Sequence, residues 1–326
     1  MSKTRVGIVG YGNIGRGAEK VIRQTPDFEL VAIITRRQPD KLIADTPTAL
    51  KINVDDALGL KGKVDVMILC GGSATDLPVQ GPEFAKNFNT VDSYDTHALI
   101  PEYFSAMNEA SKKAGLVSVI AAGWDPGLFS MNRVLGQAVL PHGSGCTFWG
   151  KGISQGHSDA IRRVDGVQAG IQYTIPIASA VEKARKGEGG LLSTREKHLR
   201  ECFVVAKEGA DKAEIESRIK TMPHYFSDYD TIVHFISMDE FVSNHTSMGH
   251  GGFVIHSGKV DGNVHTMEFS LNLYHNAEFT ASVLVAYARA AHRFHREGRT
   301  GALTALDIPI TYLSSKSDEE LRKELL

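Results

Sequence analysis

Val6-Gly7-Ile8-Val9-Gly10-Tyr11-Gly12-Asn13-Ile14-Gly15 is the stretch that decides the fold. Arg5 to Val9 is a short β-rich run, Gly10 to Gly15 is a G-x-G-x-x-G, and Ile14, Ala18, Val21 and Ile22 recur behind it at helical spacing. The motif is weak by itself. A strand before it and a helix after it supply the context in which it signals a dinucleotide site. Gly10 permits the tight turn, Gly12 lets backbone approach a pyrophosphate, and Gly15 lets the helix pack on the strand. The helix N-terminus then offers unpaired N–H groups and a partial positive charge to phosphates. Gly10, Tyr11, Gly12, Asn13, Ile14 and Gly15 are therefore the first expected cofactor contacts.

Outward from this stretch, apolar runs alternate with helical patterns. Phe28 to Ile34, Val64 to Cys70, Asn89 to Ser93 and Leu116 to Ala122 read as strands, and Thr75 to Phe88 and Pro101 to Lys113 as helices. Such alternation predicts an α/β, Rossmann-type parallel sheet with helices on both faces. After Trp124-Asp125-Pro126-Gly127 the character changes. Leu128 to Val139 is one more helix, and then period-two stretches dominate: Val167 to Ile175, Cys202 to Ala206, Tyr229 to Ile236 and Val264 to Leu273. In the last, Met267, Phe269, Leu271 and Leu273 alternate with polar residues, the mark of a sheet with one wet face. A second, α+β lobe with a mostly antiparallel sheet is expected there. Phe279 to His295 returns to helical spacing, and Ser317 to Leu326 reads as a short charged helix or a frayed end.

The end of the second strand selects the nucleotide. An Asp or Glu roughly 20 residues beyond the glycines usually meets the ribose 2′-hydroxyl of NAD. Thr35-Arg36-Arg37 stands there instead. Two guanidiniums and a hydroxyl suit a 2′-phosphate, with no carboxylate expected nearby to repel it, so NADP is favoured. Gly71-Gly72-Ser73 follows the third strand, at the sheet end where such folds bind ligands. Cys70, Thr75 and Asp92 complete the expected cofactor set.

The bulk properties narrow the class. The 326 residues suit two or three lobes, and 42% hydrophobic with 23% charged residues is a globular profile. A formal net charge of -2 leaves no basic excess to track a nucleic acid. No run approaches the roughly 20 apolar residues of a membrane span, and Val6 to Val9 is too short for a signal-peptide core. Cys70, Cys146 and Cys202 lack CxxC spacing and read as buried, inert thiols. A cytoplasmic protein without nucleic-acid or membrane partners is the expectation. His245, His250 and His256 match no familiar ligand spacing, so no metal is expected either.

Several segments resemble the meso-diaminopimelate dehydrogenase family. They are Val6 to Gly15, Gly72-Ser73-Ala74-Thr75-Asp76, Val91-Asp92-Ser93-Tyr94-Asp95, Gly123-Trp124-Asp125-Pro126-Gly127, Phe148 to Asp159, Thr221-Met222-Pro223 and His250-Gly251-Gly252. They run in the family's order over most of the chain, and the tryptophan loop and Ser154-Gln155-Gly156-His157-Ser158-Asp159 are the most specific. Two positions depart from the family pattern: Lys151 and Gly249 each stand where a proline is expected.

The resemblance implies NADP-dependent oxidative deamination of meso-2,6-diaminoheptanedioate at its D-centre, giving L-2-amino-6-oxoheptanedioate and ammonia. It implies a homodimer, with a dinucleotide domain over 1–123 plus 277–326 and a substrate-binding and dimerisation domain over 124–276. Asp95 and Asp125 would meet the D-centre amine, Trp124 and Trp149 would wall off the reacting carbon, and Gln155 and Gly156 would donate to its carboxylate. Thr174, Arg200, His250 and Asn276 would hold the L-centre, with Arg200 gripping the distal carboxylate bidentately. The amine must lose a proton before hydride leaves, because an ammonium has no lone pair for the imine. Asp95, Asp125 and His157 are the candidate bases, and the residues alone do not choose among them. Two other readings remain: another NADP-dependent oxidoreductase of a small amino acid, imine or semialdehyde, or a catalytically silent NADPH-binding sensor.

Overall fold

The computed structural model describes residues 3–245 and 249–326, without the side chain of Gln155. Two compact units make up the chain, residues 1–131 with 277–326, and residues 132–276. The division falls beyond the expected 123/124 boundary, so Trp124 and Asp125 belong to unit 1.

Unit 1 is built on seven parallel strands, numbered along the chain: β1 (Thr4–Val9), β2 (Phe28–Thr35), β3 (Leu50–Asn53), β4 (Val66–Leu69), β5 (Asn89–Asp92), β6 (Val117–Val119) and, from the end of the chain, β14 (Gly301–Leu303). Their order is β14-β6-β5-β4-β1-β2-β3. Val66, Met67, Ile68 and Leu69 are all fully buried, as a strand covered on both faces requires. Two apolar clusters fill the two faces, one around Ile8, Ile33 and Ile68, the other around Ile34, Met67 and Leu69. The helices are α1 (Asn13–Gln24), α2 (Leu77–Ala85), α3 (Ile100–Ala114), the start of α4 (Leu128–Val139), α10 (Asn276–Arg296) and α11 (Asp318–Leu325). α10 gives Ala281, Leu284, Tyr287 and Ala288 to the first cluster. The order in which strands are added reverses at β1, which pairs parallel with β2 on one side and β4 on the other. A crevice opens at the carboxyl ends of the strands there, the usual ligand position of an open α/β sheet.

Unit 2 holds two sheets where the sequence suggested one mostly antiparallel sheet. β7 (Ser144–Trp149), β12 (His250–Val260) and β13 (Asn263–Leu273) form an antiparallel sheet in the order β13-β12-β7. β8 (Gly152–Ile153), β9 (Val167–Pro176), β10 (His198–Ala206) and β11 (Asp230–Phe235) form the other, in the order β11-β10-β9-β8. β10 and β11 pair parallel. The reason is α8 (Lys212–Lys220), a crossover helix whose Ile215 and Ile219 are buried against the sheet with Val204 and Phe226. Asp211 caps it, accepting from the N–H groups of Ala213 and Glu214. α5 (Gln155–Arg162), α6 (Ala178–Arg185), α7 (Thr194–Lys197) and α9 (Met238–Asn244) complete the unit. No helix among the described residues is long and apolar enough to cross a membrane.

Candidate active site

In unit 1 a cleft of about 320 Å³ lies at the carboxyl ends of β1, β2 and β4. Gly10 has φ +89°, and its N–H donates to the Ile34 carbonyl at 2.9 Å. A Cβ on Gly15 would lie 2.2 Å from the Gly10 carbonyl oxygen, so α1 can start this close to the loop only with glycine there. A Cβ on Gly12 would meet nothing within 4 Å, which leaves open space over the loop. No side chain caps α1, and no acid stands in its first turn. That is the surface a pyrophosphate needs. Tyr11 contributes only backbone to the cleft: its ring is buried and its hydroxyl donates to Glu19. Burial, followed by that bond, pushes the Tyr11 phenol above its ordinary pKa.

Thr35, Arg36 and Arg37 line the same cleft. Thr35 Oγ1 accepts the Arg37 N–H at 3.1 Å, and Arg37 Nη2 donates to the Tyr11 carbonyl at 2.8 Å. Arg36 is not free of acid, contrary to the expectation that no carboxylate stands here. Its Nη1 lies 2.9 Å from Asp76 Oδ1. The other Asp76 oxygen accepts the Gly72 N–H at 3.0 Å, because the turn into α2 folds residue 76 back over residue 72. Two guanidiniums against one carboxylate still leave a positive surplus for a 2′-phosphate. Cys70 and Gly71 line the cleft, but burial pushes the Cys70 thiol up to about 12, so it is inert. Ser73 Oγ accepts the Asp95 N–H at 3.1 Å, and Thr75 is exposed.

Asp92 does not fit the cofactor role expected of it. Its side chain is 0% exposed, and its oxygens take the N–H of Tyr94 at 3.0 Å, the N–H of Ala121 at 3.3 Å and the hydroxyl of Tyr103 at 2.8 Å. Both side-chain oxygens are thus engaged inside the protein. Asp95, three residues on, is exposed. Trp124 is buried edge-on against Phe129, centroids 5.2 Å apart. Gly127 lets the tryptophan loop close: at φ +129° its Cβ would lie 1.9 Å from the Gly123 carbonyl oxygen.

The unit 2 candidates come from several strands. Arg200 faces Thr174 across the β9–β10 ladder, donates to its hydroxyl through Nη1, and stacks on Tyr229 with Cζ 3.8 Å from the ring centroid. Arg200 is 5% exposed, has no carboxylate partner among the described residues, and its Nε has no hydrogen-bond partner there. His157 lies on α5 with Nδ1 2.8 Å from Ser154 Oγ, its ring edge-on to Tyr225 and Phe226. Its Nε2 is buried and unpartnered. Burial, then the charge of Arg200, pulls the His157 pKa down to about 4. The ring is therefore neutral at ordinary pH. Burial also lowers His250, with Arg200 acting in the same direction. Gly152 leaves room for His250, since a Cβ there would lie 2.5 Å from the His250 Cα. Gly156 is exposed, Gln155 opens α5 with its side chain outside the described residues, and Asn276 is half-buried at the start of α10.

One residue escaped the sequence reading. His198 Nε2 accepts the Trp149 N–H at 2.9 Å, and the two rings stack with centroids 5.4 Å apart. Burial, with Arg200 and Lys197 adding to it, pulls His198 down to about 3, which keeps that nitrogen an acceptor. The available signal was alternation: His198, Arg200, Cys202 and Val204 share one face of β10. No group of three or more His, Cys, Asp or Glu side chains among the described residues could hold a metal ion.

Residues 123–275 match the model of the diaminopimelic acid dehydrogenase C-terminal domain. The chain is 62% identical to meso-diaminopimelate D-dehydrogenase of Ureibacillus thermosphaericus, covering 100% of both chains. Among solved structures it is similar to C. glutamicum DAP dehydrogenase in complex with DAP, at 48% identity and TM-score 0.93 over 100% of both chains. It is also similar to an engineered D-amino acid dehydrogenase bound to NADP+, at 46% identity and TM-score 0.87 over 100% of both chains.

Proposed function

The chain belongs to the meso-diaminopimelate D-dehydrogenase family, and we infer that it catalyses reversible, NADP-dependent oxidative deamination of meso-2,6-diaminoheptanedioate at its D-centre. The products are L-2-amino-6-oxoheptanedioate and ammonia. The observation that carries this reading is Arg200, a buried guanidinium with no acid beside it among the described residues. Thr174 and the Tyr229 ring support that charge without neutralising it, and a dicarboxylate would bring the missing counter-charge.

NADP supplies the hydride acceptor. Gly10 to Gly15 and the start of α1 would hold its pyrophosphate, and Thr35, Arg36 and Arg37 its 2′-phosphate. By the family resemblance, Asp95 and Asp125 would meet the ammonium of the D-centre, Trp124 and Trp149 would shield the reacting carbon from water, and Gln155 and Gly156 would donate to the near carboxylate. Thr174, Arg200, His250 and Asn276 anchor the L-centre. Asp95, Asp125 and His157 are the groups proposed to accept the amine proton, the His157 ring being neutral and so able to do so. Loss of that proton with the Cα hydride leaves an imine, to which water adds as ammonia departs.

The three free cysteines accord with a reduced, cytoplasmic setting. A homodimer contacting through unit 2 is the assembly we propose. The test mixes purified protein, its solution mass measured, with NADP+ and meso-diaminopimelate. Absorbance of NADPH should rise with equimolar ammonia, from a particle of twice the 35.5 kDa chain mass. No reduction would overturn the activity, and a monomer turning over normally would overturn the dimer.

A further inference from the structure

Asp92 is the last residue of β5, and its side chain reaches across to the end of the neighbouring strand β6. One oxygen accepts the N–H of Tyr94 at 3.0 Å and that of Ala121 at 3.3 Å, while the Asp92 carbonyl accepts the Ala122 N–H at 2.9 Å. Ala121 has φ +53°, a left-handed conformation that a residue with a side chain adopts only when held. The second carboxylate oxygen takes the Tyr103 hydroxyl at 2.8 Å, and the Tyr103 ring stacks on Tyr94 with centroids 4.1 Å apart. Gly81 makes room for that hydroxyl, since a Cβ there would lie 2.2 Å from it.

We propose that Asp92 is the positioning residue that aligns two loops of the reaction site, Ser93–Asp95 after β5 and Ala121–Asp125 after β6, with Tyr103 as its partner. The first loop carries Asp95 and the second carries Trp124 and Asp125. One carboxylate therefore sets the spacing of the two acids assigned to the amine and of the wall beside them. The Asp95 backbone is tied further, through its N–H, to Ser73 after β4. Burial pushes the Asp92 carboxyl up to about 6, against the pull of its three donors. The side chain is thus held at a cost that a purely apolar core position would not incur.

The inference rests on the dehydrogenase reading, so its test has one arm that needs turnover and one that does not. Asp92→Ala should lower turnover by about tenfold or more while the NADP+ KM stays within about twofold, because misplaced reacting groups cost rate rather than cofactor binding. Asp92→Asn should keep most of the turnover, since its amide oxygen can accept both N–H groups and its NH2 can donate to the Tyr103 oxygen. In a Trp149→Phe background Trp124 is the sole tryptophan. Its fluorescence should become more accessible to acrylamide in Asp92→Ala and stay as in the parent in Asp92→Asn. Should Asp92→Ala fail to fold, Tyr103→Phe removes a single hydroxyl and should still lower turnover at constant NADP+ KM. Wild-type turnover in Asp92→Ala or Tyr103→Phe would overturn the proposal. So would an Asn variant as impaired as the Ala variant, or a loss confined to the NADP+ KM. A wild-type protein without turnover would sink the dehydrogenase reading instead, and the fluorescence arm would still decide the loop geometry.

Discussion

The cofactor cleft of unit 1 and the buried polar groups around Arg200 in unit 2 handle polarity in opposite ways. In the cleft the cations already have partners: Arg36 has the Asp76 carboxylate, and Arg37, which keeps its charge, has the Tyr11 carbonyl. Recognition there comes from backbone shape, from glycines at residues 10, 12 and 15, and from a helix end without a cap. In unit 2 the balance is left open. Arg200 Nε, His157 Nε2, Gln172 Oε1 and Thr231 Oγ1 are buried without partners among the described residues, whereas the two such atoms of unit 1, on Thr46 and His292, lie away from the cleft lining. A buried donor or acceptor left unmade costs about 1–3 kcal/mol, more when charged. Unit 2 thus keeps buried donors and acceptors open for a ligand or water to satisfy, and unit 1 exchanges one set of partners for another. Substrate selectivity should then reside in unit 2 and cofactor selectivity in unit 1.

The widest gap should appear with stereoisomers. If Arg200 and Thr174 hold the L-centre as proposed, only the D-centre of the meso compound can face the hydride acceptor. The LL isomer lacks a correctly handed carbon, and the DD isomer misplaces its distal charges. Misplaced buried charges cost several kcal/mol, so initial rates should differ by roughly a thousandfold. Arg200→Ala should narrow that difference and leave the NADP+ KM unchanged. Equal wild-type rates on the LL and meso isomers would break the assignment of selectivity to unit 2.

A smaller effect is expected in unit 1. Replacing Arg36 and Arg37 together by neutral residues removes the charge-assisted contacts and leaves Asp76 unbalanced beside the 2′-phosphate. The NADP KM should rise about ten- to hundredfold while the NAD KM moves little. An unchanged NADP/NAD ratio would remove cofactor choice from this cleft.

The smallest effect is a titration. His157 has a folded pKa of about 4, below the ordinary 6.5, through burial first and Arg200 second. A depressed imidazole contributes stability that is present above 6.5 and lost as the pH falls through the folded value. Arg200→Ala removes the second cause, so the midpoint should rise toward 6.5, and the stability lost on acidification should shrink and be complete at a higher pH. The His157 ring resonances, followed by NMR across pH 3–8, report it. A midpoint unmoved in that variant would separate His157 from Arg200.

What the sequence disclosed follows from this contrast. The glycine loop and Arg36-Arg37 are local signals, each decided by neighbours a few residues away, and both fall in the cleft. β3 and β14 were invisible because Leu50–Asn53 and Gly301–Leu303 are too short to show a period. β12 was missed for another reason: it opens His250-Gly251-Gly252, and glycines weaken any strand pattern. Here they are needed, since a Cβ on Gly251 would lie 2.2 Å from the Leu271 carbonyl oxygen and one on Gly252 2.2 Å from that of Phe148. β10 was recognised only from Cys202 onward because its first inward residues, His198 and Arg200, are polar. Resemblance supplied Arg200 and Thr174, which no spacing joins. Asp92 misled because it sits at a strand end where cofactor contacts cluster, and only the partners of its oxygens reveal that it faces inward.

The interrupted makeup of unit 1 bears on how the chain is made. α10 and β14 enter its core and its sheet edge only after the whole of unit 2 has been synthesised. At about 5–20 residues per second, residues 132–276 occupy the ribosome for roughly 7–30 s. Throughout that interval the sheet face around Ile8, Ile33 and Ile68 lacks the helix that covers it, and β6 keeps an open edge. Unit 2 is contiguous in the chain, so all of it is made before residues 277–326 arrive to cover that face and that edge.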